Sequence, residues 1–451
     1  MLRLLIFATS FVGVYCGLSI YPKISLPPID GPNYGDPVFL TECLATDKVE
    51  VCQAKSEVPP LKANVQGHAG FFTVHKNYSS NMFFWFVKAE KNWETAPVVV
   101  WLQGGPGASS LYGLFYENGP FYVKPKRGLK MRKHYWSQSL NVVYIDNPVG
   151  TGFSFTKNDN GYARDEVAVG RDLYSAVLQF FQLFPQLQKN DFFVSGESYA
   201  GKYVPALAYA IHIGNTKASF KVNLKGITIG NGLCAPEYMM GYSDYLFQIG
   251  LIDANTRYSF KVKESAINQL IKQKNWIGAF NAFDELLNDA TGFSYYFNYL
   301  HSSDDSPYGD MGQYLQKDLV RRSIHVSNLT YHTDNKVENF LKSDVMQSVK
   351  PWVELLLNNN YRVLIYNGQL DIIVAYPLTV NFVQALNWNG STLYKTAVRK
   401  PWFVGKDLAG YSKTVKGFTE LLVRNAGHMV PSDQPLWALD MIQRFTSNKP
   451  F

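Results

Sequence analysis

The sequence predicts an α/β protein, with a mostly parallel central sheet, helices on both faces and a helical cap inserted into it. Three observations carry this prediction. Over the first half of the chain, short apolar runs that read as strands alternate with longer segments of helical spacing. Between about residues 235 and 350 strand-like runs vanish, and helical ones such as 258–273 and 276–290 dominate. After about residue 350 the alternation resumes.

From the N-terminus, Met1-Leu-Arg3 leads into the short apolar run 4–14, followed by small residues around Cys16, Gly17 and Ser19. This is the pattern of a secretory signal peptide over residues 1–19. It is too short for a membrane anchor, and no later segment offers an uncharged span of about 20 residues. Sequons at Asn77, Asn328 and Asn389 fit the secretory pathway and are expected glycosylation sites. Cys43 and Cys52 are close enough to close a small disulfide loop, which leaves Cys234 unpaired and buried. Residues 20–65, rich in proline and polar groups, read as an extended N-terminal arm.

The first part of the core is expected over 66–234, with strands at 70–75, 82–88, 97–102, 141–146, 192–194 and 224–229. Helices are expected at 171–184 and 202–213. The cap follows over 235–350 and the second part of the core over 351–451. That second part holds a helix through 353–357, strands at 361–366 and 419–424, and a closing helix at 435–445. Net charge is +7, and the densest basic run spans Lys124 to Lys133. It reads as a solvated loop, because no nucleic-acid-binding signature accompanies it. The dibasic pair Arg321-Arg322 reads as exposed, with proteolytic processing the alternative.

The stretch with chemistry in it is Gly196-Glu197-Ser198-Tyr199-Ala200, a near match to Gly-x-Ser-x-Gly with alanine in the last place. A strand before it and a helix after it make the nucleophile-elbow context of an α/β-hydrolase. Alone, such a serine is as often a surface turn residue. Two further strand ends change the balance. Asp371 and His428 each follow a strand in a glycine-containing turn, and the order Ser198, Asp371, His428 is that of an α/β-hydrolase triad. Each role is a physical demand: serine needs a base, histidine can be that base, and an aspartate fixes its tautomer and steadies the imidazolium. The run Gln103-Gly104-Gly105-Pro106-Gly107 ends a third strand. There the backbone N–H of Gly105 can complete an oxyanion hole with that of Tyr199. A phosphate loop is excluded, since no Gly-Lys-Ser/Thr ending follows.

Taken together, several motifs resemble the serine carboxypeptidase family. They are Trp101-Leu-Gln-Gly-Gly-Pro-Gly107, Glu117-Asn-Gly-Pro120, Asp146-Asn-Pro-Val-Gly-Thr-Gly-Phe-Ser154, Gly196-Glu-Ser-Tyr-Ala-Gly-Lys-Tyr-Val-Pro205, Gly230-Asn-Gly232 and Gly427-His-Met-Val-Pro431. Gln103, where many members have asparagine, looks most like the animal vitellogenic-like and venom branch. The resemblance implies that Gln103, the Gly104 backbone, Glu117 and Glu197 hold the substrate's C-terminal carboxylate, and that Met429 borders a substrate pocket. Acids can bind an acid only when protonated, so the two glutamates are expected to share a proton and to favour acidic pH.

The expected function is a secreted or lysosomal carboxypeptidase acting through an acyl-enzyme on peptides or proteins with a free C-terminus. Neither metal nor cofactor is implied. Two rivals remain: an esterase or acyltransferase with the same triad, and a catalytically silent binding protein on this scaffold. Ala108 stands where many family members have cysteine, so the link between cap and core is expected to be built differently.

Overall fold

The sheet is built from runs so apolar that both faces must be covered. A computed structural model of the protein describes residues 26–124, 128–288, 295–301 and 308–451; the expected signal peptide and the middle of the basic run lie outside these. The strands are β1 (Glu57–Val58), β2 (Gly67–His75), β3 (Ser80–Val87), β4 (Val98–Leu102), β5 (Phe121–Lys124), β6 (Gly128–Met131), β7 (Asn141–Ile145), β8 (Phe192–Glu197), β9 (Leu224–Gly230), β10 (Arg362–Gly368), β11 (Lys400–Val404), β12 (Asp407–Val415) and β13 (Phe418–Val423). Eleven of them form one sheet in the order β1-β2-β3-β7-β4-β8-β9-β10-β13-β12-β11, and β5 and β6 form a separate hairpin. The run from β7 to β13 is parallel throughout. Antiparallel strands extend it at both ends.

Every residue of β4, β7 and β8 is buried, as expected for parallel strands covered on both faces. Successive residues of β8 show what covers them, because side chains alternate across a strand. Phe192 packs on Phe181 of helix Glu166–Leu183, and Phe193 packs on Phe445 of helix Pro435–Thr446. The two helices therefore lie on opposite faces. The first starts where the Asp165 carboxylate accepts from the Ala168 N–H at 2.8 Å, satisfying one of the free donors of the first turn. Among the described residues, no helix is long and apolar enough to cross a membrane.

Between β9 and β10 the described residues form helices, among them Tyr242–Gln248, Ala254–Lys272, Trp276–Asn288, Asp318–Ser323 and Lys336–Val345, and no named strand. A buried ion pair ties the last of these to the core. Lys202, fully buried behind the elbow, pairs with Asp344, and the Tyr199 hydroxyl donates to the same carboxylate at 3.1 Å. Close by, Ala108 lies in the glycine-rich turn, and a Cβ on Gly107 would meet Val337 of the same cap helix at 3.1 Å.

Four expectations need correction. The N-terminal arm is not extended throughout: helices Leu40–Thr46 and Val49–Ser56 occupy its second half, with Leu40 and Cys52 fully buried and Cys43 bridged to Cys52. Packing against the core and the short covalent loop override the local composition. Strands β11 and β12 went unpredicted because their partly exposed, polar-interrupted runs carry no strong apolar signal. The basic run is not one loop; its flanks form the β5–β6 hairpin. In the dibasic pair only Arg322 is exposed. Arg321 is buried, donating to the Ser327 carbonyl and the Gln316 side chain, both at 2.7 Å, and to the Leu329 carbonyl.

Removing one partner of a buried pair strands the other charge, so Asp344→Ala is expected to lower stability by about 3–5 kcal/mol. Denaturant unfolding should show the double change Lys202→Met with Asp344→Leu losing less than that single change, since no uncompensated charge remains.

Candidate active site

Five neighbouring parallel strands, β4, β8, β9, β10 and β13, end side by side along one edge of the sheet. Gln103, Ser198 and Asn231 directly follow the first three, while Asp371 and His428 sit in the loops after β10 and β13. The sheet thus gathers residues that are far apart in the chain.

Ser198 joins β8 to helix Ala200–Gly214 with φ at +65°, a left-handed conformation that a serine adopts only when its surroundings hold it there. Those surroundings are hydrogen bonds on both sides of the residue. Its N–H donates to the Gly230 carbonyl at 3.0 Å, and its carbonyl accepts from Gly201 N–H at 2.9 Å and Leu233 N–H at 3.0 Å. Gly196 is needed one turn earlier, because a Cβ there would lie 2.6 Å from the Leu102 carbonyl oxygen.

His428 Nδ1 lies 2.8 Å from Asp371 Oδ2, with both residues fully buried. An ionised carboxylate only accepts, so Nδ1 carries the proton and Nε2 is left with its lone pair. Nε2 and the Ser198 hydroxyl are both buried without a hydrogen-bond partner. Asp371 is itself braced. Its Oδ2 accepts from Asn231 Nδ2 at 2.7 Å and Val374 N–H at 3.2 Å, and its Oδ1 accepts from Ile373 N–H at 3.1 Å. The cap braces His428: the His428 N–H donates to the Phe297 carbonyl at 2.6 Å, and the Phe297 ring stacks on the imidazole with centroids 5.0 Å apart. Sequence reasoning assigned no role to Asn231 or Phe297. The position of Asn231 between two glycines at a strand end was a usable signal, whereas nothing local marks Phe297.

Gly104 presses against the elbow. A Cβ on it would lie 2.5 Å from the Tyr199 backbone nitrogen and 2.8 Å from Ser198 Cβ. Only glycine fits this approach of the two turns. Among the described residues, the N–H groups of Gly105 and Tyr199 donate to no backbone carbonyl.

Gln103, Glu117 and Glu197 are fully buried together. The Trp101 indole N–H, which can only donate, is 2.9 Å from Gln103 Oε1, and this fixes the orientation of the amide. Gln103 Nε2 then donates to Glu117 Oε1 at 3.0 Å and to Glu197 Oε1 at 3.1 Å. Glu117 is carried by a π-helical turn, Gly113–Glu117. Burial pushes the Glu117 carboxyl up to about 7. Burial, and then the charge of Glu117, pushes Glu197 well above the usual carboxylate range. The second oxygen of each carboxyl, Glu117 Oε2 and Glu197 Oε2, is buried without a hydrogen-bond partner. An open cleft of about 620 Å³ has Tyr116 and Met429, the chain neighbours of Glu117 and His428, in its wall.

The remaining expected positions are simply placed. Asn77, Asn328 and Asn389 are exposed, and Cys234 is buried as a free thiol.

Comparison with known proteins agrees with this arrangement. The family described as "Serine carboxypeptidase" matches residues 59–448. The chain is 54% identical over 448 residues to "Venom serine carboxypeptidase" of Apis mellifera, covering 96% of each chain. It is 45% identical to "Vitellogenic carboxypeptidase" of Aedes aegypti, covering 91% of this chain and 90% of that one. It is also 45% identical to "Probable serine carboxypeptidase CPVL" of Homo sapiens, covering 96% and 93%. Among solved structures, the prohormone-processing carboxypeptidase Kex1 of Saccharomyces cerevisiae superposes with a TM-score of 0.78 at 23% identity, over 88% of this chain and 96% of that one. The fold is that of the α/β-hydrolases.

Asn231→Ala removes a side-chain donor from Asp371 while leaving its backbone donors in place. Steady-state kinetics should show kcat reduced by up to about 100-fold with KM little changed, the size of effect a misplaced catalytic group produces.

Proposed function

The chain belongs to the serine carboxypeptidase family, and from that premise we propose that Ser198, His428 and Asp371 cleave the last peptide bond of a substrate through an acyl-enzyme. Ser198 Oγ attacks the carbonyl carbon of that bond as His428 Nε2 takes its proton. Asp371 stabilises the imidazolium that results. The oxyanion of the tetrahedral intermediate is received by the N–H groups of Gly105 and Tyr199. His428 then returns the proton to the leaving amine, the terminal amino acid departs, and a water attacks the acyl-serine by the same sequence.

One observation carries the end-of-chain specificity: the buried trio of Glu117, Gln103 and Glu197 beside the elbow. A general hydrolase has no use for two sequestered acids there. Gln103 Nε2 donates to one oxygen of each glutamate, so Gln103 acts as a brace that leaves the second oxygen of each carboxyl without a partner. A protonated carboxyl then donates to the substrate's terminal carboxylate, with the Gly104 backbone alongside. An esterase or acyltransferase would gain nothing from such a donor, and a silent binding protein would not need the His428–Asp371 pair.

The exposed sequons, the Cys43–Cys52 bridge and the apolar N-terminal run support passage through the secretory pathway to an extracellular or lysosomal destination. The substrates are peptides or proteins with a free C-terminus.

The direction of the pH dependence follows from the raised carboxyl pKa values. Below them the pair keeps its proton and binding is intact. As pH rises through about 7, where Glu117 titrates, the pair gains negative charge facing a substrate anion. kcat/KM for peptides is therefore expected to fall across that range, and Glu117→Gln, which cannot ionise, should flatten the decline. A wild-type profile flat to about pH 8 would contradict the shared-proton device.

A fluorophosphonate probe should label the wild type and not Ser198→Ala. Peptides blocked as C-terminal amides should be cleaved at least about 100-fold more slowly than the free acids. Equal rates would favour the general hydrolase.

A further inference from the structure

The cleft beside the carboxyl pair has a chemical character that the exopeptidase reading does not by itself explain. If Glu117 holds the terminal carboxylate and His428 protonates the leaving amine, the departing residue spans the gap between them. The chain neighbours of these two groups, Tyr116 before Glu117 and Met429 after His428, both line the cleft of about 620 Å³, which makes it the place for that residue's side chain. The same cleft is lined by Arg132, Lys133 and His134, the end of the basic run that looked like a solvated loop.

Arg132 is the unusual member. Burial lowers its pKa, so its charge is partly stripped of water, and Glu117 is its first-ranked electrostatic neighbour. Its Nε donates to the Phe121 carbonyl at 3.1 Å and its Nη2 to the Phe115 carbonyl at 2.8 Å. Those are neutral acceptors. Among the described residues Arg132 makes no ion pair, nor does Lys133. Besides these acceptors Arg132 lies over the Tyr122 ring, 5.6 Å from its centroid, so a guanidinium partly stripped of water is left with neutral contacts and no ion pair while the nearby Glu117 keeps its proton. Asp433 is the acidic residue in the lining, and its Oδ2 is occupied by the Gly427 N–H at 2.6 Å and by Asn298 Nδ2 at 3.3 Å. The nearby Glu117 and Glu197 share a proton and repel an incoming anion weakly.

We propose that this cleft receives the side chain of the residue being released and selects acidic ones, aspartate or glutamate, with Arg132 and Lys133 as the specificity-determining cations. This rests on the exopeptidase reading and adds a substrate class to it: peptides with an acidic last residue. Tyrosines 112, 116 and 122 wall the cleft beside Arg132, whose partial burial strengthens its attraction for an anion, while Lys133 stands exposed at the rim.

The test uses the full-length secreted protein at about pH 6, where a glutamate side chain is ionised. Four peptides identical except for a final Glu, Gln, Leu or Lys are compared by the rate of release of that residue. The Glu peptide should exceed its Gln isostere in kcat/KM by about fivefold or more, with Lys poorest, and added salt should narrow the gap. Arg132→Gln should bring the Glu/Gln ratio towards one, and Arg132→Lys should largely keep it. Because Arg132 also holds two carbonyls, the exposed Lys133→Glu serves as an independent variant and should lower the same ratio. Equal Glu and Gln rates in the wild type, or a preference for Lys, would overturn the acidic selection alone. No release from any of the four would overturn the exopeptidase reading and this inference with it.

Discussion

Two glutamates can be buried on either side of one amide only if they hold fewer than two charges between them. Glu117 and Glu197 meet that condition by keeping a proton at a pH where isolated carboxyls lose theirs, and desolvation is the dominant cause for both. Much of the surrounding architecture serves this arrangement. Trp101 fixes the amide of Gln103, Gln103 fixes one oxygen of each acid, and the π-helical turn brings Glu117 across from the end of β8. Glu197 is the last residue of that strand, one peptide bond before Ser198. The proposed carboxylate-binding group and the proposed nucleophile are thereby held in fixed register by the backbone itself.

The parts of this site legible in the sequence were those that announce themselves locally. Apolar runs gave the parallel strands, and glycine-containing strand ends pointed to Gly105, Ser198, Asp371 and His428. What stayed hidden was set by contacts distant in sequence. Phe297 reaches His428 from the cap, 131 positions earlier in the chain. Arg132 belongs to a run whose composition suggests only solvation, and the hairpin alone turns it into the cleft. The arm's two helices have no apolar stripe to declare them, and tertiary packing and a disulfide decide their form. The roles of Glu117 and Glu197 came from family likeness, since an acid at a helix N-terminus or in a turn has commoner explanations.

The cap reaches the core at three places around the elbow. Phe297 orders His428, Asp344 binds the Tyr199 hydroxyl and Lys202, and Val337 touches Gly107 of the glycine-rich turn. With alanine at position 108, no disulfide can be made from that turn, and the polar cluster behind the elbow holds the cap helix in place. Glu166 joins it there, its N–H donating to Asp344 Oδ1 at 3.4 Å and its carboxyl pushed well above the usual range by burial and then by the neighbouring Asp344 charge. An ion pair of this kind is a poor source of net stability but a strict one of geometry, because the partners must return to one arrangement to escape an uncompensated charge.

The same reasoning separates an exopeptidase from the hydrolases that share its sheet. A triad at strand ends specifies that a carbonyl will be attacked and says nothing about which one. Discrimination needs a group that benefits only one class of substrate, and it is sharpest where the site loses a buried hydrogen bond if the wrong substrate enters. A carboxyl that is protonated only because it is buried satisfies both requirements. An anion beside it gains a short charge-assisted bond. An amide or ester in the same place offers a weaker acceptor and leaves the acid pair poorly satisfied. The penalty would fall on any chain that continues past the site, so in the proposed reading the selection for a terminus arises from the desolvation that raised the pKa values of Glu117 and Glu197 in the first place.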